Sequence, residues 1–391
     1  MSNTTQTDML PVTGSGPMTF ALGAIGLISA LVGWFLVRLG RKTLWVAPEH
    51  GRQAFLLSSY KGAATVGATV RSALAQGVEV FVVVDGPFSQ TAAAARKAGA
   101  TGVLALADNV GKPTALKKCF HHFDLGRYEH VSVIDDDTIL EEGFLGYALA
   151  RFDDDTAVVV GETRGAKGAN PWNPIQASMA WAQVRYGWLT RRGQSALNVM
   201  TVISGSNSVY TSEFLHEALN QPNDLIVDDT AWMAFLRLEG KGRVRHAPHA
   251  VAFTQNVARP DQWFKQQTRW MWGTFQGINK MRSLWSSRFG LCYLGMIADW
   301  LLYVVVFPAL LVWAVVANGP WALAVWALGF FAWAVVGAIA TRNWRLVPLA
   351  PATVLVDYAF RVVLVVSLVK ALRQPTVGEC RWESPDRQAV A

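Results

Sequence analysis

The stretch "VSVIDDDTIL" sets Asp135, Asp136 and Asp137 side by side at the end of an apolar run that reads as a buried strand. Three adjacent carboxylates raise one another's pKa unless a cation or a solvated loop relieves them. A divalent ion is one answer and an acidic surface turn is the other. Two further groups stand at the ends of apolar runs, Tyr60 after "QAFLLSS" and Asp85 after "VEVFVVV". An aromatic face can stack on a base, a carboxylate can bond a base or a ribose, and the acidic oxygens can hold a divalent cation. Together these residues suit a nucleotide with a metal-bound diphosphate.

The elements that must carry them follow from periodicity. "TVGATVRSALAQG" places Val66, Val70 and Leu74 at helical spacing, and "TAAAARKAGA" and "KPTALKKCFHHF" also read as helices. "GVLALAD" and "HVSVIDDD" read as strands. Alternating strands and helices predict a doubly wound, largely parallel α/β sheet that binds its ligands at the carboxyl ends of the strands. "SSYKGAATVG" stands where a dinucleotide fingerprint would follow the first strand, and the chain carries no Walker-type phosphate loop.

Of the 391 residues 52% are hydrophobic, and these gather toward the two ends. The uncharged run at residues 18–37 is long enough to cross a bilayer and is followed by "RLGRK". It reads as a retained anchor rather than a cleaved signal peptide, because no basic residue precedes it. Three more apolar segments follow residue 290, the last with two prolines and the charges Asp357 and Arg361. That segment reads as a span or as one that does not cross, its charges as an i, i+4 ion pair or part of a polymer path.

The net charge of +7 comes mostly from basic clusters beside the apolar segments. Its expected counterpart is the lipid bilayer rather than nucleic acid. Cys119, Cys292 and Cys380 match no zinc spacing, consistent with a reducing compartment. His246 and His249 in "RHAPH" read as loop histidines across a proline turn rather than metal ligands.

The motifs "SSYKG", "VVVDGPFS", "NVGKPTAL", "VIDDDT", "SGSNSVYTSEFL", "IVDDTAWMAFLRLEGKG" and "KQQTRWMWG" occur in an order that resembles the membrane-integrated family 2 glycosyltransferases of GT-A fold. That family includes the cellulose, chitin and hyaluronan synthases. The resemblance implies that Tyr60 stacks on uracil, Asp85 hydrogen-bonds it, Lys112 lines the nucleotide pocket, and Asp137 with Asp135 holds Mg²⁺ or Mn²⁺. Asp136 falls at the variable middle position and is expected to be a solvated turn residue. Asp229 matches the general base. Gln266, Arg269 and Trp270 match a Gln-x-x-Arg-Trp motif, with Gln266 and Arg269 on the nucleotide-sugar and Trp270 on the acceptor. Ser204, Gly205 and Asn207 would line the acceptor side. The sequence departs from the pattern at Val84, Val227, Asp228 and the pair Thr254 and Gln255.

The resemblance also implies an inverting enzyme at the plasma membrane, multi-pass, with a cytosolic catalytic domain, a UDP-sugar donor and a growing glycan or lipid acceptor. Oligomerisation is left open. The leading expectation is processive polysaccharide synthesis and export. Transfer of one sugar to a lipid is the alternative, and a non-catalytic membrane subunit the third. The chain would divide into a tail and first span (1–42), the catalytic domain (43–262), an interfacial helix (263–290), membrane helices (291–370) and a tail (371–391).

Overall fold

The computed structural model describes residues 44–165, 170, 172–341 and 343–377. The expected first span, Cys380 and the tail beyond residue 377 lie outside the described residues. The first half alternates as anticipated: β1 (Gln53–Ser59), α1 (Val66–Leu74), β2 (Glu79–Val84), α2 (Ser89–Lys97), β3 (Gly102–Ala105), α3 (Lys112–His122), β4 (His130–Asp135) and β5 (Thr138–Leu140). Then come α4 (Phe144–Leu149), β6 (Thr156–Gly165), α5 (Pro174–Arg185), α6 (Arg192–Ala196), β7 (Ser208–Thr211), α7 (Ser212–Leu219), α8 (Asp228–Leu238) and β8 (Arg243–Thr254).

The eight strands form one sheet in the order β3-β2-β1-β4-β7-β6-β8-β5. The pairs β2–β3, β1–β2, β1–β4 and β6–β8 are parallel, whereas β7 runs antiparallel to both β4 and β6. Period-two side chains explain why the inner strands are apolar throughout. Leu56, Phe81, Val83 and Val133 pack one face against Leu116, Phe214 and Trp232. Phe55, Val82 and Ile134 pack the other against Val66, Val70 and Phe144.

After the sheet come α9 (Pro260–Lys280), α10 (Arg288–Leu301), α11 (Phe307–Asn318), α12 (Trp321–Thr341) and α13 (Ala350–Arg373). A π-helical segment at Leu302–Val306 joins α10 to α11. Three helical stretches, Arg288–Ala317, Trp321–Ile339 and Ala350–Arg373, are long and apolar enough to cross a membrane. The last one is laid along the protein. Val356, Phe360 and Val363 of α13 pack against Ile175 and Met179 of α5 and Trp263 of α9. Further on, the buried Ser367 hydroxyl donates to Thr268 O at 3.1 Å. Val377 N donates to Asp224 O at 2.8 Å, so the chain after α13 returns to the α/β domain.

Two expectations are corrected here. Asp357 and Arg361 do not pair: among the described residues no ion pair joins them. Instead the Tyr303 hydroxyl donates to Asp357 Oδ2 at 2.6 Å, and Arg361 Nε donates to Tyr303 O at 2.9 Å. The π-helical segment begins beside that carbonyl, where the regular hydrogen-bond ladder is interrupted. His246 and His249 are not in a loop either. Both belong to β8, where a register irregularity around Pro248 accommodates the residue that cannot donate to the ladder. His246 is buried with Nε2 at 3.0 Å from Glu162 Oε2, and burial lowers its pKa against the opposing pull of that carboxylate.

Candidate functional site

The parallel register places Ser58 opposite both Val83 and Asp135, so the ends of β1, β2 and β4 are neighbours. Because β7 is antiparallel to β4, its start, preceded by Ser204–Asn207, meets the end of β4. The acidic first turn of α8 and the first residue of α3 complete the cluster. Lys112 Nζ lies 2.7 Å from Asp135 Oδ1, 3.5 Å from Gly205 O and 4.0 Å from Asp228 Oδ2. Burial opposes its positive charge, but Asp135, Asp228 and Asp229 outweigh it and hold the ammonium above the usual lysine range.

Asp229 Oδ2 accepts the Gly205 N–H at 2.9 Å. A Cβ on Gly205 would stand 2.5 Å from Asp229 Oδ1, so only glycine lets the loop approach this carboxylate. Oδ1 is buried and has no hydrogen-bond partner among the described residues, as does Asp228 Oδ2. Burial first, then the charges of Asp228 and Asp135, push the Asp229 carboxyl up to about 8, while Lys112 and the Gly205 amide pull it down. Once ionised, a carboxylate with one oxygen fixed and the other unpartnered among the described residues is placed to take a proton.

Tyr60 packs edge-on to Phe88, with ring centroids 5.1 Å apart, and Lys61 Nζ lies 5.2 Å from the Tyr60 ring. Asp85 is 4% exposed, and its Oδ1 accepts the Val110 N–H at 2.7 Å. Burial raises the pKa of that carboxyl, against the Val110 and Gly111 amides. Asp135 is one-third exposed and Asp137 half-buried. Among the described residues no group of three or more His, Cys, Asp or Glu is gathered as a metal cage. Two all-oxygen side chains fit a hard cation that takes its remaining ligands from water and a diphosphate.

The middle aspartate departs from the expectation of a solvated turn. Asp136 is 1% exposed, and its Oδ2 accepts from Ser59 Oγ at 2.5 Å. Its backbone carbonyl accepts from Thr69 Oγ1 at 2.9 Å. A Cβ on Gly62 would fall 2.0 Å from Asp136 Oδ2, so "SSYKG" and "IDDDT" are fitted to each other. The sequence held the signal in the Ser59 hydroxyl and Gly62, but their partner lies in the turn between β4 and β5.

Asn207 also departs. It is wholly buried, its Nδ2 donates to Thr163 Oγ1 at 3.0 Å, and its Oδ1 has no hydrogen-bond partner among the described residues, so it stands behind the loop rather than on an open acceptor face. Ser204 faces its own turn, its hydroxyl 3.3 Å from that of Ser206. Gln266, Arg269 and Trp270 stand on α9; Gln266 Oε1 is buried without a partner among the described residues, Arg269 is half-buried, and Trp270 is 38% exposed. Asp228, known to the sequence only as a departure, proves to be a buried neighbour of Lys112.

Against this geometry stand the comparisons with known proteins. The family described as "Glycosyltransferase like family 2" matches residues 50–273. Poly-beta-1,6-N-acetyl-D-glucosamine synthases of Staphylococcus aureus, strains COL and MW2 among them, are 24% identical over 230 residues, 56% of this chain and 53% of theirs. The match thus spans about half the length of those curated relatives. Among solved structures, the mannosyltransferase PcManGT from Pyrobaculum calidifontis, in complex with GDP-Man and Mn²⁺, aligns with a TM-score of 0.50 and 17% identity. It covers 91% of this chain and 98% of its own, a likeness of fold.

Proposed function

Because the chain belongs to the family 2-like glycosyltransferases, we propose that it is an inverting transferase that takes a UDP-sugar, forms β-glycosidic bonds and extends a polysaccharide. The observation that carries this reading is Asp229, a buried carboxylate with one oxygen held by Gly205 N–H and the other unpartnered among the described residues. In the reaction an acceptor hydroxyl attacks the anomeric carbon, its proton passes to Asp229, and the carbon–oxygen bond to the nucleoside diphosphate breaks. Tyr60 stacks on the base and Asp85 bonds it. Lys112 and Arg269 balance the diphosphate, with Gln266 beside them. Trp270 offers its exposed face to the acceptor sugar and Ser204 and Gly205 line that side, while Asn207 holds the loop from behind.

Asp137 and Asp135 would hold Mg²⁺ or Mn²⁺, which when bound neutralises charge on the leaving diphosphate. The Mn²⁺ and GDP-Man of the fold neighbour recommend both that metal and a guanine donor as comparisons. The name of the synthase relatives recommends UDP-N-acetylglucosamine as the first donor. We place the α/β domain, residues 43–262, on the cytosolic face of a multi-pass plasma-membrane protein, with α9 at the interface, as the apolar helices that follow it suggest.

A second reading is transfer of a single sugar to a membrane lipid. It is favoured by the three apolar helices among the described residues, with α13 laid along α5 and α9, which leave little to enclose a wide path for a polymer. A non-catalytic subunit is disfavoured by the retained carboxylates Asp135, Asp137 and Asp229. The test is nucleoside diphosphate release in nanodiscs with UDP-sugars and GDP-mannose, with Mg²⁺ or Mn²⁺, followed by product sizing. Release with one donor, lost in Asp229→Asn, is expected. A polymer supports the first reading and a glycolipid the second, whereas release unchanged in Asp229→Asn removes the base assignment.

A further inference from the structure

The turn that bears Asp229 is held by a residue the proposed chemistry does not use. Gln276, on α9, is 1% exposed. Its Oε1 accepts the backbone N–H of Ile226 at 2.9 Å, three residues before Asp229. Its Nε2 donates to the backbone carbonyl of Gln374 at 2.8 Å, the residue that caps α13. The one side-chain amide therefore bridges the entry to α8 and the end of α13. The Trp272 indole donates to the same carbonyl at 3.2 Å.

The surrounding helix face is shaped to bring these groups together. Gly273 and Gly277 flank Gln276 on α9, at the i, i+3 and i+4 spacing of one helix face. A Cβ at Gly273 would lie 2.5 Å from Val227 Cγ2, and one at Gly277 would lie 2.3 Å from Thr230 Cγ2. Both glycines thus let α9 close on the residues either side of Asp228 and Asp229. Lys280 Nζ reaches Asp224 Oδ1 at 2.5 Å, and Val377 N donates to Asp224 O, so the stretch before Ile226 is tied at the same seam. Buried amides with both ends satisfied fix geometry, because either misplacement leaves a polar group unpaired.

We infer that Gln276 is a positioning residue for the transfer step: by bridging Ile226 N–H to Gln374 O it sets the Asp229 carboxylate against Gly205 and makes that placement depend on where α13 ends. This rests on Asp229 being the base. Gln276 spends its side-chain hydrogen bonds on Ile226 and Gln374, not on Tyr60 or Asp85, so its loss is expected to leave nucleotide affinity alone and lower turnover. A misplacement of about 1 Å costs on the order of 10²-fold in rate.

The experiment uses the full chain in nanodiscs. Gln276→Met keeps the length of the side chain and removes both hydrogen bonds; Gln276→Glu keeps the acceptor for Ile226 N–H and removes the donor to Gln374 O. The readouts are kcat, KM for the donor, and Kd for the nucleoside diphosphate. The expected result is a kcat lower by about tenfold to a hundredfold in Gln276→Met, a smaller loss in Gln276→Glu, and Kd and donor KM within about twofold of the parent. Parent-like kcat in folded Gln276→Met overturns the inference, as does a loss of nucleotide affinity in step with kcat. Should Gln276→Met fail to fold, parent-like kcat in Gln276→Glu overturns it instead. Asp229→Asn runs in parallel: if that variant still turns over, the base reading fails, whereas a dead Asp229→Asn beside a parent-like Gln276→Met removes this inference alone.

Discussion

At the scale of residues, the proposed site is a contest between burial and charge. Asp229 sits in the first turn of α8, where a helix favours an ionised carboxylate, yet burial and neighbouring acids push it up to about 8. If it is the base, kcat rises with pH through about 8 in a pH–rate profile and reaches a plateau above it. The same shift has a consequence for stability. The folded state holds this proton above the carboxyl's ordinary pKa of 3.8, so the contribution is fully present below that value and is lost as pH rises through about 8. Asp229→Asn should therefore melt higher than the parent at pH 9 and show little difference at pH 4, by thermal scans of both proteins. Ser59→Ala should cost roughly 1–3 kcal/mol in denaturant titration, because Asp136 is then buried without its hydroxyl donor.

At the scale of elements, small residues decide how closely helices and loops approach. Gly273→Ala puts a methyl 2.5 Å from Val227 Cγ2, and we expect overpacking of about 1–3 kcal/mol together with lower turnover, read by melting temperature and kcat. Among the apolar helices the polar knot of Tyr303, Asp357 and Arg361 joins the π-helical segment to α13. Tyr303→Phe leaves Asp357, 8% exposed, without that hydroxyl and should destabilise the helix packing by about 1–3 kcal/mol, measured by unfolding in nanodiscs.

At the scale of the whole molecule, the path of α13 sets the topology. Val377 bonds Asp224 of the α/β domain, and Gln374 bonds α9, so the end of α13 is held against the domain, and in a bilayer crossed by the other apolar helices we expect both on one side. A single cysteine at Val377 in a Cys-free background should react with a membrane-impermeant thiol reagent only from the face where the domain is exposed. Labelling from the opposite face would mean that α13 crosses. In the active assembly, chelation of divalent ions should abolish sugar transfer, and added Mn²⁺ or Mg²⁺ should restore it, by nucleoside diphosphate release.

The sequence by itself determined the alternation of β1 to β4 with their helices, because buried parallel strands are apolar at every position and amphipathic helices at every third or fourth. It also determined that Tyr60, Asp85 and Asp135 to Asp137 end strands, since the polar residues break the apolar runs. Only the tertiary structure decided what each side chain meets. The sheet order set Ser59 and Gly62 against Asp136, which turned an expected surface residue into a buried one. The antiparallel entry of β7 brought Gly205 to Asp229 across 24 residues of sequence and drew Asn207 inside. The length and apolarity of α13 are those of a spanning helix, and only its packing on α5 and α9 showed where it runs. Periodicity is a local property of the chain and can be read along it. Hydrogen bonds between distant residues depend on strand order and helix docking, which no local pattern encodes.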